Sequence, residues 1–433
     1  MIDIKRIREH PEAVAERLNS RQGDDGARIK DVLELDEQRR RLLTEVEELK
    51  ATRNKASKEI GALMGQGKKD EAEARKAEVR ELGDRITNID AKVKEIDGKR
   101  EEILLALPNL PHESVPVGKD EHDNPEIRRH GEKPTYDFNP KPHTEICEDL
   151  GLVDFKRGAK LSGSGFLLYT GWGARLERAL AQFLLDLHTT EHGYTEVSPP
   201  YVIHRDCMVG VGQFPKFVDQ AYAVQEGLDG SSMGSLYLLP TAEAPVANIH
   251  REEILREDEL PKYYCAFSPC FRAEAGAAGV GTRGMIRVHQ FEKVELIKVV
   301  KPEDGYDELE KMTANAEKVL QLLGLHYRVI LLCTGDMGFA SAKTYDIEVW
   351  APGQDAFLEV SSCSNCEDYQ SRRMNLRYKG EGGNVFPHLL NGSGTALARL
   401  FVALVETHQQ ADGSIRIPEP LQPYMKAEII PVP

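Results

Sequence analysis

The chain has 433 residues, of which 40% are apolar and 29% charged, enough for two or three domains with sizeable buried cores. It contains no apolar run of the roughly 18 residues a membrane span needs. The start, Met1-Ile2-Asp3-Ile4-Lys5-Arg6, lacks the apolar centre of a signal peptide, so no membrane association and a cytoplasmic location are expected. The net charge of −15 argues against nucleic-acid binding by the surface as a whole. Seven scattered cysteines (Cys147, Cys207, Cys265, Cys270, Cys333, Cys363 and Cys366) point to free thiols in a reducing compartment.

Residues 28–104 carry the strongest periodic signal. Apolar side chains at Val32, Leu35, Leu42, Val46, Leu49, Ala56, Ile60 and Leu63 alternate in steps of three and four, with Arg39 and Arg53 in two of the slots. After Gly65-Gln66-Gly67 the rhythm returns at Val79, Leu82, Ile86, Ile89, Val93, Ile96 and Ile103, with Arg100 in one slot. Sustained heptads predict a coiled coil, and the glycines predict a tight reversal. The expectation is an antiparallel hairpin whose helices span roughly 54 Å at about 1.5 Å per residue. Such a hairpin serves structure or dimerisation as readily as binding. Its charge favours binding: residues 50–80 hold nine basic and five acidic side chains. The basic ones (Lys50, Arg53, Lys55, Lys58, Lys68, Lys69, Arg75, Lys76 and Arg80) suit a phosphate backbone.

Seven prolines between residues 108 and 142 predict an irregular linker. The expected division is residues 1–108, a linker over 109–142, and a catalytic domain over 143–433. In the last part the pattern predicts helices over 174–192, 304–323 and 395–409. It predicts strands over 194–197, 236–239, 263–268, 285–300, 345–350 and 356–362. Strands without regular alternation with helices predict an α+β domain, an antiparallel sheet flanked by helices.

Four short motifs mislead. Residues 279–284 read GxGxxG, but a strand pattern follows where a dinucleotide site needs a helix. Residues 230–234 read GxSxG and are likewise followed by a strand pattern, so a surface turn is expected. His188-Thr-Thr-Glu-His192 has the order of a zinc motif but closes a helix, where histidine suits the helix dipole. Cys363-Ser-Asn-Cys366 is a lone CxxC, half of a structural zinc site, so no structural zinc is expected.

Phe271-Arg272-Ala273-Glu274 opens a glycine-rich loop that returns at Arg287-Val288-His289-Gln290-Phe291-Glu292-Lys293-Val294-Glu295. Arginine at a strand end beside such a loop suits a nucleotide triphosphate, because its planar fork meets phosphate oxygens in pairs. This hairpin resembles motif 2 of the class II aminoacyl-tRNA synthetases. Gly193–Pro200 resembles motif 1, which builds the dimer interface in that class, and Asn391-Gly-Ser-Gly394 leading to Arg399 resembles motif 3. Thr241-Ala242-Glu243, Glu359–Cys366 and the long hairpin resemble the seryl branch. The resemblance covers essentially the whole chain. It departs at Val280-Gly281, where the loop commonly carries Arg-Asp, and at Ala398, where glycine is usual.

The resemblance implies a homodimeric serine–tRNA ligase that makes seryl-adenylate from serine and ATP, then loads tRNA(Ser), and tRNA(Sec) where present. It implies an ATP site of Arg272, Ala273, Glu274, Arg287, Val288, Phe291, Glu359, Val360, Ser361, Ser362 and Arg399. Arg272 would hold the α-phosphate, Glu274 the adenine edge and Arg399 the γ-phosphate, and Arg287 would add a phosphate contact. Val288 and Phe291 would pack on the adenine. Glu359 and Ser362 would hold Mg²⁺. Serine would meet Thr241, Ala242, Glu243, Arg272, Lys293, Glu295, Asn391 and Ser393. The competing readings are a ligase that loads a carrier protein, which would lack the arm, and a non-catalytic RNA-binding paralogue, which would lack Arg272, Glu359 or Arg399.

Overall fold

The fold is taken from a computed structural model, which describes residues 1–224, 236–275 and 284–433. The GxSxG motif at 230–234, most of the GxGxxG motif and Val280-Gly281 lie outside the described residues. Two compact units result. One comprises Ile2–Asn19 and Gly23–Leu107; the other comprises Met1, Ser20–Gln22 and Pro108–Pro433.

The first unit is built on two long helices, Ile29–Gly65 and Lys69–Ala106, packed side by side. The heptad positions form the seam: Val46, Ile89 and Val93 are buried together, with Leu42, Leu43 and Leu49 against them. The reversal uses Gly67 at φ +78°, and Lys68 N–H donates to Leu63 O at 3.0 Å to close the first helix. Near the base the apolar seam gives way to charge. Asp36, 1% exposed, meets Arg100 at 2.8 Å and Arg8 and Arg40 at 3.1 Å each, and Arg39 reaches Asp97 at 2.6 Å. Arg39 and Arg100, two of the arginines in core slots, are therefore paired across the seam.

The second unit is organised by an eight-stranded sheet. Its strands in chain order are β1 (Glu126–His130), β2 (Thr195–Glu196), β3 (Lys262–Phe271) and β4 (Gln290–Val300). Then follow β5 (Tyr327–Leu331), β6 (Lys343–Ala351), β7 (Ala356–Asn365) and β8 (His388–Ala396). The spatial order is β1-β5-β6-β7-β8-β4-β3-β2. Every pair is antiparallel except β2 with β3. Helices Gly171–Thr190, Gly305–Leu322 and Leu397–Thr407 cover one face with Leu176, Leu180, Leu184, Leu309, Met312, Leu400 and Phe401. Side chains alternate across a strand. On β4, Val294 and Leu296 enter that aliphatic core, and Phe291, Lys293 and Glu295 take the opposite face.

Three differences from the sequence pattern have physical causes. The strand expected from residue 285 begins at Gln290, because its partner β3 ends at Phe271, opposite Gln290. The stretch expected to be an irregular linker contributes edge strand β1, paired with β5. Strand β8 is hidden in the sequence by its glycines. A Cβ at Gly392 would sit 2.9 Å from Cys363 Sγ and Met312 Sδ, and one at Gly394 would sit 2.8 Å from His188 Nε2. These glycines answer to the close approach of the layer beneath.

Asp36 is an acid that three arginines of the first unit share, Arg8, Arg40 and Arg100. Asp36→Ala should destabilise the chain by about 3 kcal/mol, since it strips three arginines of a shared, buried partner. A urea midpoint unchanged from wild type would refute this.

Candidate active site

The open face of the sheet carries two adjoining cavities that share Arg272 and Glu274. The larger, about 370 Å³, is lined by Thr241, Glu243, Cys366 and Asn391 as well. The smaller, about 210 Å³, adds Arg287, Val288, Phe291, Lys293, Glu359, Val360, Ser393 and Arg399. Strands β3, β4, β7 and β8 thus bring together residues more than a hundred positions apart.

The floor between the cavities is a buried charged knot. Lys293 contacts Glu295, its neighbour two residues along β4. Lys293 Nζ donates to Thr241 Oγ1 at 2.9 Å, and that hydroxyl donates to Glu295 Oε2 at 2.6 Å. Lys293 and Glu295 are 6% and 2% exposed, so each needs the other. Beside them Glu243 accepts from Gln370 Nε2 at 2.7 Å. Burial, and then the charge of Glu295, push the Glu243 carboxyl up to about 7.

In the smaller cavity the Arg272 guanidinium lies 5.1 Å from the centre of the Phe291 ring. Its backbone N–H donates to His289 O at 2.9 Å, which closes the mouth of the hairpin. Glu274 adopts φ +47° and meets Arg287 at 3.3 Å. Arg399, in the first turn of its helix, donates through Nε to Ile286 O at 3.1 Å and through Nη1 to Glu359 O at 2.8 Å. It also meets Glu359 Oε2 at 3.2 Å.

A third cleft, about 830 Å³, opens beside these and is lined by Arg287, Asp346, Glu348, Glu359 and Ser362. Residues three apart on a strand normally face opposite ways. A bulge between Glu359 and Ser361 resets β7 so that Glu359 and Ser362 share this cleft. Ser362 donates to Asp346, whose Oδ1 is buried without a hydrogen-bond partner among the described residues. Burial, and then the charge of Glu359, hold the Asp346 carboxyl well above the usual range. Crowded hard oxygens of like charge are what a divalent cation relieves, so these residues fit Mg²⁺.

Four expected site residues act otherwise than by lining a cavity, and one of them is Glu295 in the charged knot. Ala242 is buried with Val246, Ala266 and Ile297. Ala273 offers its backbone N–H to Gln220 O at 3.0 Å. The Ser361 hydroxyl donates to Ser393 O at 2.5 Å and so ties β7 to β8. Gln370 and Asp346 escaped the sequence reading; an acid inside the apolar pattern of residues 345–350 was the one signal for the second. Of the cysteine pair, Cys363 lies on β7 and Cys366 accepts from Asn391 Nδ2 at 3.4 Å, both as free thiols. His188 packs its ring beside His192, and burial pushes its imidazole down to about 3.

On the arm, Lys50, Lys68, Arg75 and Lys76 pair with Asp90, Glu71, Glu59 and Glu73. Lys55, Lys58 and Lys69 are exposed, and Arg53 is half-buried. Surface pairs contribute only about 0–1 kcal/mol each, so a phosphate can replace the acid partner at little cost.

Because Glu243 has a raised folded value, the native state holds a proton that the unfolded chain releases near pH 4.5. Stability from this group therefore falls as pH rises from about 4.5 to about 7 and stays low above. Glu243→Gln should stabilise the chain by about 2 kcal/mol at pH 8 and by little at pH 4.5. Denaturant midpoints at the two pH values test this, and an equal shift at both would refute it.

Residues 1–111 match the family described as the seryl-tRNA synthetase N-terminal domain. Residues 225–408 match that described as the tRNA synthetase class II core domain (G, H, P, S and T). The serine–tRNA ligase of Akkermansia muciniphila is 54% identical over 431 residues, 99% of each chain. That of Carboxydothermus hydrogenoformans is 53% identical over 432 residues, again 99% of each. The crystal structure of seryl-tRNA synthetase from Pyrococcus horikoshii complexed with ATP superposes with a TM-score of 0.92, at 40% identity and full coverage of both chains. With matches at both ends of the chain and full-length relatives at this identity, the chain belongs to the seryl-tRNA synthetase family, the serine–tRNA ligases of class II.

Proposed function

We propose that the smaller cavity takes ATP, that the larger takes L-serine, and that the chain forms seryl-adenylate and then loads tRNA(Ser). The observation that carries this is the sharing of Arg272 and Glu274 between the two cavities. A carboxylate in one and an α-phosphate in the other would meet at the Arg272 guanidinium. The P. horikoshii relative is described as complexed with ATP, which supports the assignment.

In the first step a serine carboxylate oxygen attacks the α-phosphorus, the bond to the bridging oxygen breaks, and diphosphate leaves. A carboxylate is already a nucleophile, so no general base is needed, and positioning with charge neutralisation does most of the catalysis. Arg272 holds the α-phosphate, and Phe291 and Val288 pack on the adenine, whose edge Glu274 reads. Arg287 and Arg399 meet the outer phosphates, exchanging Glu274 and Glu359 for phosphate oxygens. Glu359 and Ser362 would hold Mg²⁺, which would offset the charge of the phosphates. Thr241, Glu243 and Glu295 receive the serine ammonium, Lys293 balances Glu295, and Asn391 and Ser393 face the side chain. A pocket that hydrogen-bonds a hydroxyl rejects alanine because its own polar groups would go unpaired. In the second step the 3′-hydroxyl of the tRNA terminal ribose attacks the adenylate carbonyl carbon and AMP leaves.

We assign residues 1–108 to tRNA binding, 109–142 to a connection and 143–433 to catalysis, with the arm's basic side chains gripping tRNA. The assembly is a homodimer through the Gly193–Pro200 segment, whose β2 lies at the sheet edge. tRNA(Sec), where present, is a second substrate. Seven free thiols suit a cytoplasmic location, and no helix among the described residues is long and apolar enough to cross a membrane.

Serine-dependent exchange of labelled diphosphate into ATP tests the first step. Arg399→Ala should lower kcat/KM for ATP by about a hundredfold or more. Deleting residues 30–102 should abolish charging of tRNA while leaving exchange intact. Exchange with another amino acid but not with serine would refute the assignment. At pH 7 serine binding should also release a proton, because an ammonium beside Glu243 lowers a carboxyl that sits at about 7. Calorimetry in buffers of different ionisation enthalpy reads this directly.

A further inference from the structure

The described hairpin resumes at Gly284, and what fixes it there lies outside the two cavities. His143 begins the helix His143–Asp149 and is 1% exposed. Its Nε2 accepts from the Met285 N–H at 3.2 Å. A ring nitrogen that accepts carries no proton, so the proton sits on Nδ1. Nδ1 lies 2.9 Å from Glu406 Oε1 and donates to it. Glu406, 0% exposed, stands two turns after Arg399 on the same helix. It also accepts from His143 N–H at 2.7 Å, Gln354 Nε2 at 3.0 Å and Gly353 N–H at 2.9 Å. The carboxylate is thus fully occupied by donors and rigidly held.

The ring has no freedom on its other side. Gly284 adopts φ +75°, and a Cβ there would lie 2.2 Å from His143 Nε2. Met285 is fully buried, with its sulfur 3.9 Å from Cys147 on the His143 helix. One residue on, the Ile286 carbonyl receives Arg399 Nε. The two ends of this chain of contacts are the Arg399 helix and the segment that leads to Arg287, Val288 and Phe291.

We propose that His143 is a positioning residue for ATP: its neutral, Nδ1-protonated ring clamps residues 284–286 to the Arg399 helix and so sets the distance between the adenine and γ-phosphate contacts. This rests on the ATP assignment above. The bond that matters for ATP is Met285 N–H to Nε2; the bond to Glu406 aims the ring.

Two variants separate these bonds. His143→Gln places a carbonyl oxygen near Nε2 and keeps an acceptor for Met285. His143→Asn places an amide N–H near Nδ1 and keeps the donor to Glu406 but loses the acceptor. In serine-dependent ATP–diphosphate exchange, His143→Asn should raise KM for ATP by about tenfold and change KM for serine by less than about twofold. His143→Gln should recover most of the loss. In the ligand-free proteins, hydrogen exchange at residues 284–289 should quicken in His143→Asn and not in His143→Gln. The proposal is overturned if both variants lose activity in proportion to their melting temperatures, if both KM values rise together, or if the two variants behave alike. The exchange-rate arm stands apart from the functional reading: absence of wild-type activity would refute that reading, and equal protection in the two variants would refute the clamp.

Discussion

A lysine and a glutamate two residues apart on a central strand must face the same way. On β4 that way is opposite to Val294 and Leu296, whose place in the aliphatic core is fixed. Neither Lys293 nor Glu295 reaches water freely, and a lone buried charge costs several kcal/mol. Their pairing through the Thr241 hydroxyl is therefore a condition for the sheet to form with this register. A slip of one residue would send both charges among leucines. The stability of the fold and the polarity of the site floor are one constraint.

The other site residues hang from that register. Ser393 lies opposite Glu295 in the ladder, and Ser268 opposite Lys293. Local irregularities then aim what strict alternation would misdirect: a bulge turns Glu359 and Ser362 to one side, and a second lies between Ser393 and Thr395. The arginines are held by acids, Arg399 by Glu359 and Arg287 by Glu274. The site is thus charged but internally compensated. Ligand charge enters by exchange of partners, with less reorganisation than bare guanidinium groups would need.

Much of this was legible in the chain. The arm could be read almost residue by residue, because two helices in a pair have only one seam and the heptad records it. Val46, Ile89 and Val93 were assigned to it and are in it. The three long helices of the second unit were found to within a few residues for the same reason. Strand β8 was not, since Asn391, Gly392 and Gly394 are poor strand formers kept for close packing and for the site. Residues 285–289 alternate like a strand but lie beyond the end of β3 and join no named strand among the described residues. The resemblance supplied the cast of the site. It did not supply Gln370, Asp346 or the His143–Glu406 pair, because no local pattern ties a buried polar residue to a partner on another element.

The arm's burial is uneven along its length. On the first long helix the last buried side chain is Ala56, and on the second the first is Ala72. Toward the base the seam includes Val46, Ile86, Ile89 and Val93. A two-helix rod has one layer of core, so each level is only as firm as the side chains in it. The base resists bending and register slip, and toward the reversal the seam thins to Ala56 and Ala72, with Ile60 and Leu63 only half-buried. Such a rod behaves as a stiff spacer with a compliant end. Its end can adjust to the local shape of a partner that its stem holds firmly.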